Sequence, residues 1–175
     1  MISIEDIPAE KRWEIAAKSA SAMPLIYDMH FRKLLGEKYD EIERTIWTEG
    51  GKEVKNLAIA LGLPSENAIE VNEAFGVIGT ILFGPEFKFG IVEETKNRVV
   101  GKVIECPILN RAREMGLDPE TVALKGCMTF NKSAVENLNP EYTHRLNANM
   151  CSGGRHCEMI IERQLEPGQE RSDPS

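Results

Sequence analysis

Apolar residues recur at helical spacing through the first half of the chain, and the period changes near residue 84. Between Ala9 and Leu35 the apolar set Trp13, Ile15, Ala16, Ala22, Leu25, Ile26, Met29 and Leu34 predicts a long amphipathic helix. Pro8 suits its start, Asp6 is a cap candidate, and Gly36 a stop. Pro24 is expected to kink or split it, because proline removes a backbone donor and crowds the preceding turn. A second helix runs from about Lys38 through Ile42, Ile46 and Trp47. Gly50-Gly51 is expected to break it before it resumes through Val54, Leu57, Ala58 and Leu61. A third begins near Ser65 and carries Ile69, Val71, Ala74, Val77 and Ile81, with Gly76 and Gly79 leaving room for a neighbouring backbone.

After Gly84-Pro85 apolar and other residues alternate. Phe87, Phe89 and Ile91 predict one strand, and Arg98 to Ile104 a second, with Lys96-Asn97 as the turn of a hairpin ending at Cys106. Pro107 to Met115 predicts a short helix ended by Gly116. Asp118-Pro119-Glu120 opens another that runs to about Leu138, before Asn139-Pro140. Tyr142 to Met150 and Glu158 to Leu165 predict two strands joined by a Ser152-Gly153-Gly154 turn. Helices followed by β-β-α-α-β-β define an α+β architecture: an N-terminal helical layer on a small antiparallel sheet with two covering helices. The divisions are a helical part over 1–84, a cysteine-containing α+β part over 85–165 and a disordered tail over 166–175, the first two forming one compact unit.

Composition narrows the class. The 175 residues are 42% hydrophobic and 28% charged, which is ordinary for a globular chain. A net charge of −7 speaks against a nucleic-acid surface, where clustered cations are needed. No apolar run reaches the roughly 20 residues of a membrane span, and the acidic start Met1-Ile2-Ser3-Ile4-Glu5-Asp6 lacks a signal-peptide pattern. A cytoplasmic location is therefore expected, and with it reduced thiols.

All four cysteines lie in the back half: Cys106, Cys127, Cys151 and Cys157. Cys151 and Cys157 bracket a glycine turn, and the topology allows Cys106, at a strand end, and Cys127, on a covering helix, to reach the same corner. Four thiolates would satisfy tetrahedral zinc or an iron–sulfur cluster, while buried apolar thiols are the plainer alternative. As a nucleophile, a cysteine needs a base or a positive field. Cys127 has Lys125 near it in sequence, and Cys157 has His156 and Arg155. His156 is a candidate ligand or base, although strand alternation turns it away from the face of Cys157. The same alternation gives His144 an exposed cross-strand place; His30 is a helix residue, partly buried or on the surface.

Trp13, Met23, Met29, Phe31, Trp47, Phe75 and Phe83 are expected in ordinary core, some of them lining a pocket between the helical layer and the sheet. Glu14, Asp28, Asp40, Glu43 and Glu73 are expected at the surface, and no glycine loop has the context for phosphate.

Residues 99–162 carry a wider pattern: a strand ending in Cys106-Pro107, a helix with Gly126-Cys127, then Asn139-Pro140 and Cys151-Ser152-Gly153-Gly154-Arg155-His156-Cys157. This resembles the L-2-amino-thiazoline-4-carboxylic acid hydrolase-like family and, more distantly, the 4-vinyl reductase domain. The vinyl-reductase resemblance implies a zinc held by Cys127, Cys151 and Cys157. The acidic ligand of that pattern falls on Ala148, so Cys106 would supply the fourth group; the aromatic that follows its last cysteine is replaced by Glu158-Met159. The first resemblance implies a hydrolase of C–N bonds in a cyclic amidine- or amide-type substrate, with Cys127 and His156 as catalytic candidates. The second implies a small-molecule-binding or sensory module with structural zinc. An iron–sulfur protein is a third possibility. A homodimer through Gly76 and Gly79 is the expected assembly, with a small molecule as the other partner.

Overall fold

In the computed structural model, residues 3–164 are described; the expected tail over 166–175 and the end of the last strand at Leu165 lie outside them. Three helices come first: α1 (Ala9–Leu35), α2 (Tyr39–Leu61) and α3 (Ala68–Phe83). The hairpin β1 (Lys88–Glu94) and β2 (Arg98–Glu105) follows, then α4 (Pro107–Glu114), α5 (Lys125–Leu138), β3 (Tyr142–Ala148) and β4 (Cys157–Arg163). The four strands form one antiparallel sheet in the order β1-β2-β4-β3. The expected α+β architecture is the observed one.

Register decides which side chains meet. Phe89 pairs with Val103 and Val103 with Cys157; Ile91 pairs with Gly101 and Gly101 with Met159; Val99 pairs with Ile161 and Ile161 with His144. These residues share one face. Helices α2, α3 and α5 cover it, and the main core forms there from Val54, Ala58, Val71, Phe75, Ile78, Val99, Phe130, Val135 and Ile161. The opposite face carries Val100, Lys102, Glu158, Ile160 and Arg145 by the same register. There Glu162 accepts from Arg145 Nε at 2.8 Å and pairs with Arg98 at 3.6 Å.

Several boundaries differ from expectation. Helix α1 is unbroken through Pro24, because its buried stripe runs through that position: Ala17 and Ser21 before it, Leu25 and Asp28 after it. Helix α2 runs straight through Gly50-Gly51. A Cβ on Gly51 would stand 2.6 Å from Ser133 Cβ and 2.8 Å from the Phe130 carbonyl oxygen. That glycine marks the close crossing of α2 and α5, sealed by Ser133 Oγ donating to the Thr48 carbonyl at 2.7 Å. Helix α3 starts at Ala68, later than expected, since Asn67 caps it by accepting from the amides of Ile69 and Glu70. The expected helix after Asp118 begins as a π-helical turn over Glu120–Leu124 before α5 takes the α-form. Strand β3 ends at Ala148, short of Met150.

The outer helix is less buried than its apolar stripe suggests. Met23, Met29 and Phe31, expected in the core, are exposed. Asp28 and Glu43, expected at the surface, are buried, because Arg32 reaches both, at 3.0 and 2.8 Å. Asp40 also pairs with Arg32 and accepts from Lys125 Nζ at 2.9 Å, tying α1, α2 and α5 together.

Candidate functional site

Between α3, α5 and the covered face of the sheet lies a cavity of about 90 Å³. Its wall is a chain of aromatic rings. Trp47 meets Phe130 edge to face at 6.0 Å; Phe130 meets Phe75 at 6.5 Å and Phe83 at 6.4 Å; Phe87 lies 5.9 Å from Phe83 and 5.6 Å from Phe89. Such offset and edge contacts are the favoured geometries for rings. Two glycines of α3 make room for this wall. A Cβ on Gly76 would stand 2.7 Å from the ring of Phe89, and one on Gly79 would stand 3.6 Å from Phe87. These glycines therefore receive side chains of this same chain.

Three of the four cysteines, Cys106, Cys127 and Cys157, line the far end of this cavity. Each arrives on a different element. Cys106 is the last residue before Pro107 opens α4, and its sulfur faces the amides of Leu109 and Ile108. Cys127 lies early in α5 and accepts from Asn131 Nδ2 at 3.4 Å. Cys157 opens β4 on the covered face and accepts from the Met150 amide at 3.3 Å. Cys151, in the turn after β3, packs beside Cys106 and Cys157 against Val103, Leu109 and Met150. The four thiols thus share one corner.

Their chemistry follows from burial. Desolvation raises the pKa of all four, and neighbouring sulfurs add repulsion at Cys127, Cys151 and Cys157. Cys151 is pushed up to about 12, and Cys127 is raised furthest. Such thiols are protonated at neutral pH and poor nucleophiles. Lys125 gives Cys127 no help, being exposed and paired with Asp40. Among the described residues, no group of three or more His, Cys, Asp or Glu side chains is arranged to hold a metal ion. Four sulfurs gather at this corner, three of them facing N–H donors.

His156 precedes β4, is half-buried, and does not line the cavity. His144 is buried rather than exposed, because its partner Ile161 belongs to the helix-covered face, and its Nε2 has no hydrogen-bond partner among the described residues. Asn131, like Asn72 and Phe130, lines the cavity with no expectation attached to it. The available signal was spacing: residues 127 and 131 stand one helical turn apart on one face.

A family model described as L-2-amino-thiazoline-4-carboxylic acid hydrolase matches residues 16–161. The fold and the match together define a small α+β protein of that class, and the chain belongs to that family. No curated protein is similar enough in sequence to count as a match. Among solved structures, the phenol-responsive sensory domain of the transcription activator PoxR, solved with phenol, has the same fold. The TM-score is 0.56 and the identity 11%, over 84% of this chain and 74% of that one. Among the described residues no helix is long and apolar enough to cross a membrane.

Proposed function

We propose that this chain binds one small, uncharged, largely apolar molecule in the aromatic cavity, and that it works as a ligand-binding module rather than through a cysteine nucleophile. The observation that carries this reading is the character of the cavity wall. Among the described lining residues the side chains are aromatic, aliphatic, thiol or amide, apart from Lys102, whose register turns its side chain to the other face of the sheet. A carboxylate or ammonium group entering such a space would lose its hydration and find no counter-charge, which is costly. At about 90 Å³ the cavity is smaller than the roughly 150 Å³ of one that admits benzene, so a ring enters as the side chains of the wall give way. The PoxR sensory domain, of the same fold, was solved with phenol.

The family's description favours a hydrolase, for which Cys127 would be the nucleophile and His156 the base. Burial of Cys127, the raised thiol pKa values and the place of His156 outside the cavity weigh against it. Titration with toluene and phenol, followed by tryptophan fluorescence, tests both readings when paired with a ring-opening assay on L-2-amino-thiazoline-4-carboxylic acid. The expected result is a saturable fluorescence change with the neutral rings and no turnover of the amino acid. Turnover that Cys127→Ser abolishes would overturn the binding reading.

We further propose that the thiol corner holds zinc through Cys127, Cys151 and Cys157, with Cys106 as the fourth sulfur. A closed four-sulfur site supplies rigidity and leaves no position for activating water. The same four thiols would serve an iron–sulfur cluster, which colour distinguishes. Protein purified without added metal is expected to be colourless and to carry about one zinc per chain, lost in Cys127→Ser. A metal-free wild type would contradict this assignment and leave the cavity reading standing.

A further inference from the structure

The cavity contains a polar contact that the protein leaves half made. Asn131 is 8% exposed and lines the cavity. Its Nδ2 donates to Cys127 Sγ at 3.4 Å, and it makes no other hydrogen bond among the described residues. In this arrangement the amide nitrogen faces the sulfur and the oxygen faces away from it. With the nitrogen facing sulfur, the carbonyl oxygen is left as an acceptor on a wall that is apolar apart from Asn131, Asn72 and the thiols. That oxygen has no donor among the described residues, and a ligand that fills the cavity without supplying one would strip it of water at a cost.

We infer that Asn131 is the specificity-determining residue of the cavity, and that it selects neutral single-ring ligands carrying one hydrogen-bond donor, such as a hydroxyl or an aromatic amine, over rings that carry none. This rests on the binding reading above. The aromatic wall supplies affinity for any ring of the right size, since stacking and burial do not distinguish substituents. Discrimination comes from the one acceptor that a ring without a donor would leave unpaired. Cys127 acts through Asn131 as a positioning residue: its sulfur holds the amide in the orientation that presents oxygen. Asn72, on α3, also lines the cavity but borders the outer groove beside Glu73 and Phe89 as well. Water reaches it there, so it imposes no comparable demand.

The test uses the full chain and three probes of similar size: phenol, anisole and toluene, titrated by calorimetry. Anisole keeps the oxygen of phenol and removes its proton. Wild type is expected to bind phenol roughly tenfold more tightly than anisole or toluene. Asn131→Leu is expected to erase that preference while keeping toluene binding, and Asn131→Gln to restore part of it. Equal affinity of wild type for all three probes would overturn the inference while sparing the binding reading. Failure of all three to bind would overturn both. Should Asn131→Leu fail to fold, the comparison of phenol with anisole on wild type decides the matter alone.

Discussion

The imidazole of His144 sits under α5 on the covered face of the sheet, and burial lowers its pKa from 6.5 to about 4. It is therefore neutral in the folded chain at pH 7. Its pH linkage follows directly: the unfolded chain takes up a proton as pH falls through 6.5, while the folded chain resists until about 4. The contribution of His144 to stability is complete above pH 6.5 and declines between 6.5 and 4, by about 3 kcal/mol in all. Urea denaturation of wild type and His144→Phe at pH 7 and pH 4.5 checks this. Wild type should lose more stability than the variant on acidification; parallel losses would contradict it. At the same scale, the four thiols should alkylate slowly in native protein at pH 8 and fast in denaturant, and a single fast cysteine would revive the nucleophile. Little of this was legible in the sequence. Strand alternation gave the wrong side for His144, because alternation fixes relative faces and leaves open which face the helices cover. Asp28 and Glu43 read as solvated for a similar reason: the burial of a carboxylate depends on whether an arginine reaches it, as Arg32 reaches Asp28 on its own helix and Glu43 on α2.

Among the elements, α2 and α5 show most clearly how packing overrides local preference. Gly50-Gly51 looked like a break because glycine weakens an isolated helix. One of the pair is required by the crossing with α5 and the other is not. Gly51→Ala should cost about 2 kcal/mol, since the new methyl meets backbone and a short side chain that cannot move away. Gly50→Ala, whose Cβ would stand 3.7 Å from Phe130, should be neutral or stabilising by roughly 0.5–1 kcal/mol. Thermal melts of the two single variants give the comparison; equal effects would contradict the crossing. Gly126 plays a similar part for Trp47, whose indole nitrogen would stand 2.3 Å from an added Cβ. Gly126→Ala should displace the indole and shift its emission, and an unchanged spectrum would show the ring held from elsewhere. Element type and order were readable from periodicity and turn residues throughout. Boundaries were not: the cap at Asn67 and the π-helical turn before α5 depend on hydrogen bonds that no period encodes.

For the whole molecule, the chain order β-β-α-α-β-β was enough to bring distant cysteines to one corner, and that convergence was the part of the site visible beforehand. The cavity beside them was not. Trp47, Phe75 and Phe83 read as ordinary core first and as lining only second, and the difference lies in two glycines on α3 that hold back the volume other residues would fill. The account stands on that volume being a ligand site. Gly79 offers the most direct test, because a Cβ there has ordinary contact with Phe87 and a longer side chain would extend into the cavity. Calorimetric titration of phenol into wild type and into Gly79→Leu, both first shown to melt cooperatively, measures it. Wild type should give a saturable, one-site isotherm, and Gly79→Leu should lose it. Equal binding by the two proteins would place the ligand elsewhere and contradict the account.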